Sequence, residues 1–100
     1  MMYLYIWKFY VKQQSKKEYE YLYGPEGIWT IFFKKTPMYI RTELARDIKY
    51  PDHYLTMDYW TSKEDYQLFC ADNIDEFNRI DKYCSSLTKK EEFVGEYYIG

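Results

Sequence analysis

From His53 to Glu64 the chain reads as a strand that runs straight into a helix cap, and the apolar residues of that strand occupy both of its faces. Leu55, Met57 and Tyr59 fall on one side; Tyr54 and Trp60 share the other with Thr56 and Asp58. A strand with one solvated face alternates apolar and polar residues cleanly, whereas a strand covered on both sides does not. The first strand candidate, residues 2–12, behaves the same way, with Tyr3, Tyr5, Trp7, Phe9 and Val11 against Leu4, Ile6 and Tyr10. A chain of 100 residues has few helices with which to cover two faces of a sheet. The second cover is therefore expected to be another copy of the chain, making a homodimer.

One hundred residues form a single domain spanning 1–100. Aromatic residues make up 23% of the chain, 14 of them tyrosines, which is heavy for one small core. Tyr and Trp suit surfaces with one dry and one wet end, such as pockets and interfaces. The net charge of −2 leaves no basic face to dominate, so nucleic acid is not an expected partner. The pairs Lys16-Lys17, Lys34-Lys35 and Lys89-Lys90 read as solvated helix ends. Cys70 and Cys84 sit in helical patterns without metal-ligand spacing, which points to reduced thiols and a cytoplasmic location. No apolar run reaches membrane-spanning length, and the N-terminus lacks the pattern of a signal peptide.

Elements follow one another with short connections. Ser15 and Glu18 have the spacing of a capping box, predicting a helix that turns Tyr19, Leu22 and Tyr23 inward. Gly24-Pro25-Glu26-Gly27 interrupts it, and Pro25 suits the first turn of a second helical segment reaching Lys34, with Ile28, Trp29, Phe32 and Phe33 as its apolar side. Residues 38–47 and 53–60 read as strands around a loop containing Pro51. Thr61 or Ser62 caps the next helix, which carries Tyr66, Leu68, Phe69 and Cys70. After a break at Asp72-Asn73, Ile74, Phe77, Ile80, Cys84 and Leu87 recur at helical spacing, and residues 91–99 form the last strand. The order β-α-β-β-α-β is the ferredoxin-like α+β arrangement: one antiparallel four-stranded sheet with helices on one face. Two such sheets packed face to face make a dimeric α+β barrel.

The runs Tyr23-Gly24-Pro25-Glu26-Gly27-Ile28-Trp29, Tyr39 to Leu44, Tyr54 to Ser62 and Leu87 to Gly95 resemble the antibiotic biosynthesis monooxygenase superfamily, in particular its small bacterial members. The resemblance spans nearly the whole chain. It implies a dimeric α+β barrel with a pocket in each subunit between sheet and helices. The superfamily includes cofactor-independent oxygenases of aromatic polyketides, haem-degrading enzymes, isomerases and members without a known reaction. Its haem degraders use a strand Trp, an Asn on the first strand and a His on the helix that follows the Trp strand. Trp60 matches the first, but residues 2–12 hold no Asn and residues 62–87 no His, so haem binding is the weakest of the readings.

Cofactor-free oxygenation requires a pocket that holds an electron-rich phenolic substrate, helps remove its proton and stabilises the anion while oxygen reacts. Asp58 and Trp60 alternate on one strand face, placing a candidate base and an indole N–H donor toward one cavity as the catalytic pair. Trp29 and Phe33, four apart on the helix that would roof it, are candidate lining for an aromatic or apolar ligand. Lys8, within an otherwise apolar strand, is a third candidate for the substrate pocket, as an oxyanion partner; alternatively it reaches solvent or pairs with Glu96. The competing reading keeps Trp29, Phe33 and Trp60 as core, with Asp58 paired to Arg41 or a lysine. On that reading the protein is a non-catalytic dimeric binding or stress-response protein. The sole histidine, His53, and two helical cysteines offer no metal cluster, and Gly24 and Gly27 make no phosphate loop, so neither metal nor cofactor is expected.

Overall fold

In the computed structural model, which describes residues 1–100, four strands and four short helices follow one another as β1 (Met2–Val11), α1 (Lys16–Tyr23), α2 (Ile28–Phe33), β2 (Tyr39–Arg46), β3 (His53–Trp60), α3 (Lys63–Asp72), α4 (Ile74–Ser85) and β4 (Thr88–Ile99). A single 3-10 turn, Gln13–Ser15, leads into α1. The strands form one sheet in the order β2-β3-β1-β4, antiparallel throughout. Each helical crossover of the β-α-β-β-α-β plan is thus split in two, the first at Gly24–Gly27 and the second at Asn73. This is the expected ferredoxin-like α+β fold.

The helices pack on the sheet face that carries the odd residues of β1. Tyr3, Tyr5, Phe9 and Val11 are buried there beside Tyr54 and Trp60 of β3. Tyr19 and Tyr23 of α1, Phe32 and Phe33 of α2, Phe69 of α3 and Ile80 and Cys84 of α4 complete the core. Most of these side chains are rings, meeting mainly tilted or edge-on at centroid separations such as 5.6 Å for Phe9–Tyr19 and 5.0 Å for Phe32–Phe69, with Tyr19 and Tyr23 stacked at 4.3 Å, arrangements that aromatic quadrupoles favour. The even residues of β1 point to the opposite face with Leu55, Met57 and Tyr59 of β3.

Several local expectations are corrected. Ser15 precedes α1 but its side chain caps nothing, because the 3-10 turn delivers the chain into the helix already coiled. Pro25 lies in the turn, not in the helix; the backbone is extended at both Gly24 and Gly27, and α2 begins only at Ile28. Leu68 and Ile74 are on the outer side of their helices, 62% and 47% exposed. The last strand starts at Thr88, so Lys89-Lys90 are strand residues and not a helix end. Its register on β1 shifts twice, between Ile6 and Trp7 and between Tyr10 and Val11. The β3 strand and the break at Asn73 fall where the sequence puts them.

Candidate functional site

A cavity of about 300 Å³ lies between the sheet and the helices. Its floor is the sheet, through Tyr5, Trp7 and Phe9 of β1 and Asp58 of β3. Trp29 and Phe33 of α2 roof it together with Tyr23, Tyr66 and Phe77 of the other helices. Asp81 of α4 and Glu91 of β4 complete the lining.

The glycine-rich turn sets the roof. The Gly27 amide donates to the Gly24 carbonyl (3.0 Å) and the Ile31 amide to the Gly27 carbonyl (3.0 Å), which starts α2 directly after α1. A Cβ at Gly27 would land on the carbonyl oxygens of Leu22 and Tyr21, so the close approach of the two helices requires glycine. The buried Thr30 hydroxyl donates to the Gly24 carbonyl (3.1 Å) and locks α2 onto the turn. Trp29 and Phe33 then share one helix face, their rings 5.6 Å apart. On the other side of the cavity the Ser62 side chain caps α3 by accepting from the Asp65 amide (3.1 Å), while the Thr61 hydroxyl donates to the Asp65 carboxylate (2.6 Å). That cap fixes the helix from which Tyr66 reaches the Tyr5 ring, 4.7 Å between centroids.

Asp58 stands at the centre of the sheet, opposite Tyr5 of β1 and Thr42 of β2. It is 7% exposed. The Thr42 hydroxyl donates to Asp58 Oδ1 and is itself hydrogen-bonded to the Tyr39 hydroxyl. No cation pairs with it: Arg41 faces the other side of the sheet, its guanidinium 3.9 Å from the Tyr59 ring centre. Burial, unrelieved by a positive charge, pushes the Asp58 carboxyl up to about 6, against the weaker downward pull of the Thr42 and Tyr5 hydroxyls. Such a carboxylate is ionised at neutral pH yet is a stronger base than an exposed one. Glu91 is also raised, first by burial and then by the nearby charge of Asp81. The Tyr5, Tyr23 and Tyr66 hydroxyls are all held protonated well above their ordinary value, chiefly by burial, so they act as neutral donors.

Of the candidates from sequence, Asp58, Trp29 and Phe33 meet around the cavity. Trp60 does not line it. It is fully buried among Phe33, Tyr39, Tyr66 and Phe69, with centroids 5.1 to 5.6 Å away, and its indole N–H has no hydrogen-bond partner. Lys8 is on the opposite face of the sheet, because the alternation of β1 sends even residues away from the helices. It borders a separate cavity of about 190 Å³ with Asp47 and His53, and its ammonium lies 5.1 Å from the Tyr10 ring. Glu96, considered as its partner, instead pairs with Lys63 at 2.8 Å. His53 is held between the Tyr10 and Tyr50 rings at the start of β3.

Asp81 and Glu91 are lining residues that the sequence reading missed. The signal was present in spacing: Asp81 is one helical step beyond Phe77, and Glu91 shares the alternation of Phe93.

No protein-family model matches the chain, and no curated protein matches it in sequence. Solved structures match it closely in shape. SnoaB, a cofactor-independent oxygenase from Streptomyces nogalater, aligns with a TM-score of 0.79 at 18% identity, over 99% of this chain and 93% of that one. A conserved protein from Methanosarcina mazei aligns with a TM-score of 0.74 at 14% identity, over 100% and 94%. The crystal structure of an antibiotic biosynthesis monooxygenase aligns with a TM-score of 0.67 at 17% identity, over 100% and 99%. The chain therefore has the ferredoxin-like fold of antibiotic biosynthesis monooxygenase structures, in line with the resemblance read in its motifs.

Proposed function

Starting from that shared fold, we propose that the chain is a homodimeric, cofactor-independent oxygenase that takes an aromatic small molecule into the cavity between sheet and helices. The observation that carries the reading is Asp58: a buried carboxylate with no counter-ion, raised to about 6, on the wall of an aromatic-lined cavity. A general base works best when its pKa approaches the operating pH and it is near the proton it takes. In the proposed reaction Asp58 removes a proton from an activated carbon of an electron-rich substrate. The resulting carbanion is the reductant and molecular oxygen the oxidant; one oxygen atom remains on the carbon as a carbonyl and the other leaves as water with the carbon's two hydrogens. Trp29 and Phe33 hold the rings of the substrate by stacking. Trp60 supports the wall from behind and keeps Tyr66 in place.

The homodimer reading is supported by the sheet face away from the helices, where Ile6, Leu55 and Met57 are only half-buried in the single chain and Tyr97 is 49% exposed. Covering that face with a second sheet would finish the barrel.

The test is oxygen uptake with anthrone- and phenol-type aromatics, comparing the wild type with Asp58→Asn. The expected result is uptake that falls at least a hundredfold in the variant while substrate binding, followed by tryptophan fluorescence, persists. Binding without uptake in the wild type would instead favour the non-catalytic binding protein.

A further inference from the structure

Every residue that lines the main cavity is either aromatic or acidic: eight rings and three carboxylates, with no lysine, arginine, histidine, amide or aliphatic side chain among them. Asp58, Asp81 and Glu91 approach it from three different elements, β3, α4 and β4. None of the three has an ion-pair partner, although neighbouring acids on β4 do, Glu92 with Lys90 at 2.7 Å and Glu96 with Lys63 at 2.8 Å. Charge on the protein is thus compensated along the outside of β4 and left uncompensated at the cavity.

This lining discriminates by charge. Aromatic faces carry negative potential and attract cations, most strongly when water is excluded. Asp58 is buried in the wall, while Asp81 and Glu91 stand at its solvent-exposed edge; carboxylates gathered around one cavity repel an anion and repel one another, a cost that a bound positive charge relieves. A neutral aromatic ligand gains only from ring contact and buried area.

We propose that the ligand of this cavity is a cation, an ammonium group of any degree of substitution on an aromatic or other apolar body. The inference rests on the reading of the cavity as the ligand site and goes further by naming the charge of what enters. It also supplies what the proposed oxygenation lacks. An anion that develops on the substrate meets no cationic side chain in the cavity, so the substrate's own ammonium is the balancing charge.

Binding of three probes of similar size to the full chain tests this: phenyltrimethylammonium, its neutral isostere tert-butylbenzene, and the anion benzenesulfonate. Quenching of tryptophan fluorescence reads occupancy, since Trp7 and Trp29 line the cavity. The cation is expected to bind about tenfold or more tightly than the neutral probe, and benzenesulfonate not at all. In the double variant Asp81→Asn, Glu91→Gln the cation's advantage should fall several-fold, while thermal unfolding confirms an intact fold and affinity for tert-butylbenzene stays the same. Equal binding of the cation and the neutral probe, or preference for the anion, overturns the charge assignment and leaves the cavity as a ligand site. Failure of all three to bind overturns both.

Discussion

Replacing Asp58 with Asn removes a charge that the fold holds at a cost, and the size of that cost follows from the surroundings of the carboxyl. In the folded chain Asp58 keeps its proton up to about pH 6, whereas an aspartate exposed to solvent, as in the unfolded chain, loses it near 3.8. A raised acid pKa means that the folded state binds the proton more tightly than the unfolded state. Stability is therefore greatest below the unfolded pKa, falls as pH rises through the interval between the two values, and stays lower above it. The difference corresponds to ~3 kcal/mol at pH 8. The Asn carbonyl can still accept from Thr42, and its amide carries part of the burial cost, so a net gain of ~2 kcal/mol is expected at pH 8, or roughly 10 °C in Tm. At pH 4.5 much of the penalty in the wild type is already relieved by protonation, and the advantage of the variant should shrink by about 2 kcal/mol. Urea unfolding of both proteins at the two pH values measures this directly, because other titrating groups cancel in the difference. An advantage of the same size at pH 4.5 and pH 8, or a variant less stable than wild type at pH 8, would refute the account of Asp58 as an uncompensated buried carboxylate.

Gly27→Ala places a methyl group against the Leu22 and Tyr21 carbonyls, so it should cost more than about 3 kcal/mol and lower Tm by well over 10 °C. Ser62→Ala removes the side-chain cap of α3 and should cost about 1 kcal/mol in chemical denaturation, with Ser62→Asp largely restoring it. Light scattering on a sizing column should give a dimer mass for the wild type, and Leu55→Lys with Met57→Glu, on the sheet face away from the helices, should shift it to monomer while leaving far-ultraviolet circular dichroism unchanged. Cys84 is fully buried, so it should react with a thiol reagent only at the rate of unfolding.

The fold was legible wherever apolar residues recur at a regular period. The β3 strand, with both faces apolar, and the stripe of Phe77, Ile80 and Cys84 gave the sheet and the helix layer directly. Boundaries were harder, for physical reasons. Ser15 has the composition of a cap, but a preceding 3-10 turn had already set the backbone. Pro25 is permitted in a first helical turn, but the extended backbone at Gly24 and Gly27 keeps it in the turn between the helices. The site was legible in part. Alternation from Trp60 located Asp58, and the four-residue step located Trp29 with Phe33. Alternation alone does not say which face carries the helices, so it leaves Lys8 open as a pocket candidate, and only the fold turns it to the opposite face. Alternation also cannot separate a ring that reaches a cavity from a ring that fills the core, so from sequence Trp60 fits both a catalytic donor beside Asp58 and a core residue, and the structure puts it in the core. Asp81 and Glu91 lie in stretches dense with charge, where only the fold, which brings α4 and β4 to one cavity, tells a cavity wall from a solvated surface.

The walls of the cavity are the core of the protein. Tyr5, Phe9, Tyr23 and Phe33 each line the one and belong to the other. Any change of ring size there alters ligand fit and packing together, and a large-to-small change carries the full cost of a core cavity, about 3–5 kcal/mol for an aromatic replaced by alanine. Asp81 and Glu91 are under no such constraint, since both are exposed outside the hydrophobic cluster. The charge at the acidic rim can therefore be altered without disturbing the packing of the chamber within, whereas the shape of the chamber cannot be altered without disturbing the fold.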